Sequence, residues 1–359
     1  MIAKTSNLSV ACTLSIALFL LLQTGVGIAR AAVQDETPGQ TQREATVSRQ
    51  EAIEAIKRRA KQIIAQRKNK RLRLAGEVTA GIGVQKNPGD LPSHKGDSFV
   101  ESSLFLNLTK PLTPTLTWQG SYYGSVDNYI ELTDYSYTYQ TLTPVKLLWK
   151  PARKWRWDGG VDLGYLVYAS DNAPDYKEFK PFVGVRQDLW GNWFHAFHYE
   201  YSLRHYLSKR ARNGLGVNTR THREDMRHKG RYEIGTVWKN TLFKGRGEYY
   251  LNDSNDARND FYDAEDWKLI GSITRRITDK FSVYASYTFE RKNYRHRKVV
   301  GVRAEARYDD EQTYALSGTY DFNKNWSLTP SFSYTRLNSN EPTGEYFDWT
   351  AKAMVARKF

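Results

Sequence analysis

Residues 281–290 read Phe-Ser-Val-Tyr-Ala-Ser-Tyr-Thr-Phe-Glu, and residues 326–335 read Trp-Ser-Leu-Thr-Pro-Ser-Phe-Ser-Tyr-Thr. In the first stretch Phe281, Val283, Ala285, Tyr287 and Phe289 take every second position, with Ser282, Tyr284, Ser286, Thr288 and Glu290 between them. In the second, Trp326, Leu328, Pro330, Phe332 and Tyr334 alternate with hydroxyl side chains. Successive side chains on a strand point to opposite faces, so each stretch predicts a strand with one apolar and one polar face. The same period runs through Leu72, Leu74, Gly76, Val78, Ala80 and Ile82. It recurs in Val161, Leu163, Tyr165 and Val167, which alternate with Gly160, Asp162 and Gly164.

A soluble antiparallel sandwich would alternate too, and the connections separate the two folds. Short turns are expected near Lys110-Pro111, Lys150-Pro151, Gly191-Asn192, Asn240-Thr241, Thr278-Asp279 and Asn323-Lys324. Longer polar loops fall between them, near 87–93, 126–131, 170–177, 208–224, 253–260, 293–302 and 338–344. Alternating short and long connections are the habit of a membrane barrel whose turns face the periplasm and whose loops face outward. The fold expected is therefore all-β, a transmembrane antiparallel β-barrel of about 14 strands over residues 72–359. Twelve or sixteen strands also fit, because Thr143-Pro144 interrupts the fourth strand and the start of the twelfth is indistinct. An even count puts both ends of the barrel on the short-turn side, expected to be periplasmic.

Composition agrees. Mean hydropathy is −0.66, and no apolar run beyond the leader reaches the length of a membrane helix. Yet aromatic residues make up 14% of the chain, with 24 Tyr and 10 Trp. A barrel reconciles the two, since only alternate residues meet lipid.

The N-terminal region is of another kind. Lys4, an apolar stretch from Leu8 to Ile28 and Ala29-Arg30-Ala31 form an expected signal peptide over residues 1–31. Cys12, the one cysteine of the sequence, lies inside it, so the expected mature chain has no disulfide or thiolate chemistry. Residues 32–71 read as a polar linker and a short basic helix. Ser48 and Glu51 have capping-box spacing, and Ile53, Ile56, Ala60, Ile63 and Ile64 share a face opposite Lys57, Arg58, Arg59, Lys61 and Arg67. Such a helix suits a membrane surface, a periplasmic partner or a plug in the pore, and equally a solvated spacer. Of the net charge of +14, residues 32–74 carry +6, from 11 bases and 5 acids.

At the other end Phe347, Trp349, Ala351, Ala353 and Val355 recur at period two before Phe359. This resembles the signal by which the outer-membrane assembly machinery recognises its clients, with Arg357 at a position where an apolar residue is usual. The segment Gly81-Ile82-Gly83-Val84-Gln85-Lys86-Asn87, the Tyr-rich Ser121-Tyr122-Tyr123 followed by Asp134-Tyr135, and Phe359 also resemble the barrels of bacterial outer-membrane proteins. Among these are the barrels of the surface lipoprotein assembly modifiers. The resemblance covers residues 72–359 and implies architecture, not substrate. The modifiers' domain of tetratricopeptide repeats has no counterpart in the short segment that precedes the barrel here.

If the apolar faces meet lipid, the other faces line a lumen. Lys180, Arg186, Arg204 and Lys229 then project inward, with Arg231, Lys244, Arg246 and Lys268. Asp188, Glu200, Glu233 and Glu248 stand among them. Rings of Arg and Lys favour anions, and facing acids set up a transverse field. The expected function is an outer-membrane channel, porin-like, for small or polymeric, anionic substrates. The competing account is a lumen sealed by salt bridges among these charges. Two further classes stand beside the channel: a translocation or assembly barrel working with a periplasmic partner, and a structural or adhesive barrel.

No enzyme is expected. A barrel hydrolase would need a Ser–His pair, and His195, His198, His205 and His228 lie in no pattern with serine. His195 and His198, three apart on a strand, point to opposite faces and cannot share a metal. Asp253, Asn255, Asp256, Asp260 and Asp263 are rich in oxygen but lack calcium-loop spacing. No catalytic, cofactor or metal site is therefore assigned. Expected partners are outer-membrane lipids and lipopolysaccharide, the latter through the basic segment 209–227, whose alternative is to fold into the pore, together with the assembly machinery and a periplasmic partner of the N-terminal helix. Nucleic acid is excluded, because the bases are scattered over strands and loops.

Overall fold

The structure, a computed structural model, describes residues 72–88, 95–170, 174–213, 217–256, 263–299, 305–341 and 344–359. The expected signal peptide, linker and basic helix lie outside the described residues.

Fourteen strands follow one another: β1 (Arg73–Gln85), β2 (Asp97–Pro111), β3 (Leu116–Tyr129), β4 (Tyr137–Ala152), β5 (Trp155–Tyr168), β6 (Tyr176–Asp188) and β7 (Trp193–Arg212). The second half continues with β8 (Asn218–Trp238), β9 (Thr241–Ser254), β10 (Ala264–Arg276), β11 (Phe281–Lys298), β12 (Ala306–Asp321), β13 (Trp326–Ser339) and β14 (Tyr346–Lys358). Each pairs antiparallel with its neighbours in sequence, and β1 pairs with β14 from Glu77↔Lys358 to Gln85↔Thr350, so the barrel closes. Closure leaves no row of unpaired backbone groups, the condition for a sheet to cross lipid.

Alternation sets the two faces. Ile82, Leu269, Phe197 and Leu316 are each at least half exposed on the outside. The most deeply buried large side chains are polar: Asn87, Asp225 and Asp256. This inverts the plan of a water-soluble domain, where apolar side chains withdraw from solvent. The outer wall is built for hydrocarbon. Trp149, Trp155, Trp157, Trp190, Trp193, Trp238 and Trp326 are exposed beside the short turns, and Trp267 is exposed near the long-loop end, as in interfacial belts.

In β4, Thr143-Pro144 forms a bulge. Leu142 pairs with Leu163 and the next pair is Val145↔Val161. The extra residue switches parity, so that Leu142, Val145, Leu147 and Trp149 all stay on the exposed side. Proline, which has no N–H for the ladder, is tolerated there.

Three expected loops are instead largely strand. β7 and β8 run through most of 208–224, β11 runs to Lys298, and β3 runs to Tyr129 before a 3-10 turn over Thr133–Tyr135. Beyond the lipid both faces are wet, so polar residues occupy both parities while backbone pairing continues. The apolar alternation that marks a strand stops sooner than the strand itself.

Close packing fixes the seam. A Cβ on Gly81 of β1 would lie 2.2 Å from the Ala353 carbonyl oxygen of β14, and one on Gly76 would meet the Phe359 ring at 2.4 Å. Gly76 and Phe359 also exchange backbone hydrogen bonds of 2.9 and 3.0 Å. The terminal phenylalanine is thus a clasp on the first strand.

Candidate functional site: the barrel lumen

The inner face divides into two walls. Along β5 to β11 it is ionic, and among the described residues every inward carboxylate except Asp266 has a cation on a neighbouring strand or two residues along. On β4 and β5, Lys146 faces Asp158 at 3.4 Å, and Asp162, which accepts Thr143 Oγ1 at 2.6 Å, faces Lys180 of β6 at 3.5 Å. Arg156 and Arg186 both reach Asp188, at 2.8 and 3.1 Å. Arg204 donates to Glu178 at 2.7 Å, and Ser202 donates to the same oxygen. Lys229 bridges Glu200 and Glu248 at 3.8 and 3.4 Å, Arg246 meets Glu248 at 3.0 Å, and Lys244 meets Glu233 at 3.5 Å. Lys268 pairs with Glu290.

The opposite wall is dominated by small hydroxyls. Thr313 and Thr335 hydrogen-bond at 3.0 Å, Thr319 and Thr329 at 3.0 Å, and Thr79 and Ser103 at 2.6 Å. Ser331 and Ser333 of β13 pair with Lys352 and Thr350 of β14. Lys352 bridges to Glu101 at 2.7 Å.

All eight cations and four acids singled out in the sequence fall on the inner parity of their strands. Seven of the cations are engaged as described above. Arg231 makes no ion pair with a described residue. It lines a cavity of about 640 Å³ together with His198, Glu200, Phe182, Lys146 and Arg186. That cavity is charge-balanced apart from any proton on histidine, with Lys146, Arg186 and Arg231 against Asp158, Asp162 and Glu200.

Sequence reasoning missed Arg223, Arg227, Lys292, Arg297 and Arg307; Arg223 and Arg297 lay in segments read as loops, and Arg227 and Lys292 lay just beside them. The signal was present in the parity. Stepping back by twos from Arg231 and Lys229 reaches Arg227, Asp225 and Arg223, and one step on from Glu290 reaches Lys292. These residues form a collar of cations stacked on tyrosines near the long-loop rim. Arg204 lies 4.5 Å from the Tyr176 ring, Arg223 4.4 Å from Tyr206 and Lys229 4.7 Å from Tyr250. Lys292, Arg297 and Arg307 all lie within 5.4 Å of Tyr294.

The histidines have ordinary partners. His195 contacts Gln187 and Tyr232, His228 contacts Tyr199, and His205 contacts Glu224. His198, on the inner face, stands 3.7 Å from Glu200. The oxygen-rich segment near β9 and β10 ties the rim together: Asp256 takes Arg212 at 2.9 Å and Asp263 accepts the Ser254 N–H. Asp260 lies outside the described residues. Among the described residues no group of three or more metal-ligating side chains is assembled. Arg357, the departure within the terminal pattern, lies 5.5 Å from the Trp326 ring at the turn rim.

A closed, even-stranded antiparallel wall, apolar outside and ionic inside, decides the architecture. It is an outer-membrane β-barrel. No protein-family model matches the chain, and no curated protein matches it. Solved structures similar to it are themselves outer-membrane barrels. A loop-deletion mutant of OmpT, an outer-membrane protein of Vibrio cholerae, aligns at 9% identity and a TM-score of 0.48, over 80% of this chain and 99% of that one. An anion-selective porin from Comamonas acidovorans aligns at 8% identity and 0.44, over 80% and 99%. A mutant of the TodX monoaromatic hydrocarbon channel aligns at 11% identity and 0.44, over 80% and 89%. The likeness to the surface lipoprotein assembly modifiers rests on the sequence motifs alone.

Proposed function

We propose that this barrel is a channel of the bacterial outer membrane that passes small hydrophilic solutes and prefers anions. The observation that carries the reading is the imbalance between paired and unpaired charge on the ionic wall. Its carboxylates other than Asp266 are paired with cations, whereas two cations, Arg231 and Lys292, have no ion pair among the described residues. A paired ladder contributes little net potential. Unpaired cations in a narrow space of low dielectric set its sign. At sheet spacing and ordinary tilt, fourteen strands close at a backbone radius of about 14 Å, room for water between side chains of facing walls.

The strand order places Arg73 and Lys358 at the same rim as the short turns. That rim would be periplasmic. Exposed Arg295 and Arg291 at the opposite rim, which lie beside Glu265 and Asp310, are suited to lipopolysaccharide phosphates.

The test is single-channel recording in a planar bilayer under a salt gradient. Steady current with a reversal potential on the anion side supports the reading. A cation-selective current, or no current from either the intact chain or one lacking residues 32–71, overturns it.

A further inference from the structure

A second cavity of about 400 Å³ lies nearer the long loops, between β8 and β11, and is lined by Arg223, Arg227, Lys268, Lys292 and Arg297 with Asp266 and Glu290. Its charges are not equally committed. Arg223 is held by both oxygens of Asp225, at 2.8 and 2.6 Å, Arg297 reaches Glu341 at 3.3 Å, and Lys268 is paired with Glu290. Arg227 donates to the neutral Asn252 amide at 2.6 Å, and its nearest carboxylate oxygen, on Asp225, is 3.8 Å away. Lys292 rests 5.1 Å from the Tyr294 ring and forms no ion pair among the described residues. On the same lining, Asp266 Oδ1 is buried and receives no hydrogen bond from a described residue.

One cation without an ion pair, Lys292, one held by a carboxylate only at 3.8 Å, Arg227, and one carboxylate oxygen without a donor, on Asp266 opposite Lys292 in the register, therefore share a single cavity. A bare anion would satisfy the first two groups and leave the third unmet. A buried acceptor left unmet is destabilising, because it has given up its hydration without a replacement donor. We infer that this cavity is a saturable binding station for a hydroxylated oxyanion, a sugar acid or sugar phosphate. Its anionic group lies between Arg227 and Lys292, and one of its hydroxyls donates to Asp266. The volume falls within the range of small-ligand pockets. The inference rests on the channel reading only for how the solute arrives.

The experiment is isothermal titration calorimetry on the purified full chain in detergent, so that binding is read without conduction. The probes are glucuronate, glucose 6-phosphate, glucose and acetate. Glucuronate or glucose 6-phosphate is expected to saturate with a dissociation constant of roughly 1 mM, weak enough for release, with glucose and acetate at least about tenfold weaker. Which of the two binds more tightly separates a carboxylate station from a phosphate one. Arg227→Gln and Lys292→Met should each weaken binding about tenfold. Asp266→Asn should narrow the gap between glucuronate and acetate while heat-modifiable gel mobility confirms a closed barrel. Acetate binding as tightly as glucuronate would overturn the inference, as would Arg227→Gln and Lys292→Met variants that bind like the parent. If binding fails while anion current persists, the station falls and the channel stands. Binding without current would leave the station and remove the channel.

Discussion

The two walls of the lumen solve the same problem in opposite ways. From β5 to β11 the inward residues are long and charged, and they satisfy one another across strands, as Glu248 does with Lys229 and Arg246. Across the lumen the inward residues are short, and Thr313 and Thr335 need only each other. A short hydroxyl leaves space, while a long ion fills space and holds its neighbours in register. Breaking a buried ion pair strands a charge, whereas losing a hydroxyl pair forfeits one weak hydrogen bond. The ionic wall should therefore be the rigid, selective side and the hydroxyl wall the tolerant one.

The largest effect would come from the seam that joins the hydroxyl wall to itself. Gly81→Val places a branched side chain against the β14 backbone, where even a Cβ would lie 2.2 Å from Ala353 O. The expected outcome is a loss above about 3 kcal/mol, or failure to close, read as loss of heat-modifiable mobility. A barrel that closes normally would show that the seam has slack.

Next, Glu248→Gln on the ionic wall should cost about 2 kcal/mol in urea unfolding, since Lys229 and Arg246 lose a shared partner. It should also raise anion selectivity, because a negative charge leaves the wall. Thr335→Ala on the other wall should stay within about 0.5–1 kcal/mol. Equal losses at the two positions would break the comparison.

Arg231→Gln is expected to leave stability within about 0.5 kcal/mol and to move the reversal potential toward zero, more so at low salt than at high salt. Its cavity is then left with two lining cations, Lys146 and Arg186, against Asp158, Asp162 and Glu200. An unchanged potential would place the selectivity elsewhere, at the Arg227 and Lys292 pair first of all. The smallest effect lies at the turn between β8 and β9, where Lys239 has φ 51° in a two-residue hairpin. Lys239→Gly should stabilise by about 0.5 kcal/mol, the relief of a left-handed conformation less the added chain entropy.

Much of the barrel was legible because lipid enforces it. Wherever a residue such as Ile82 or Leu269 must meet hydrocarbon, its neighbours must turn inward, and period two follows. The same rule put all eight lumen cations on the correct parity. It stopped working where the lipid stops, so β7 and β11 were read as ending too soon and β8 as starting too late, and Arg223 and Arg297 were lost from the site. The bulge at Thr143-Pro144 was visible as an interruption, but the parity switch it produces needed the pairing of β4 with β5. Which acid serves which base was never legible. Lys352 and Glu101 lie 251 positions apart in the chain, and no local pattern ties them.

The pairing of Glu77 with Lys358 has a consequence in time. Ribosomal synthesis runs from β1 to β14, so the first strand, paired with β2 on one edge, waits for the last before its other edge has a neighbour. Every intermediate short of that moment has two raw edges and no place in lipid. The barrier to assembly is thereby concentrated in one late event, the joining of chain segments some 280 residues apart. Once past it, the barrel gains no further stability from elongation, and reopening it means undoing the whole seam at once.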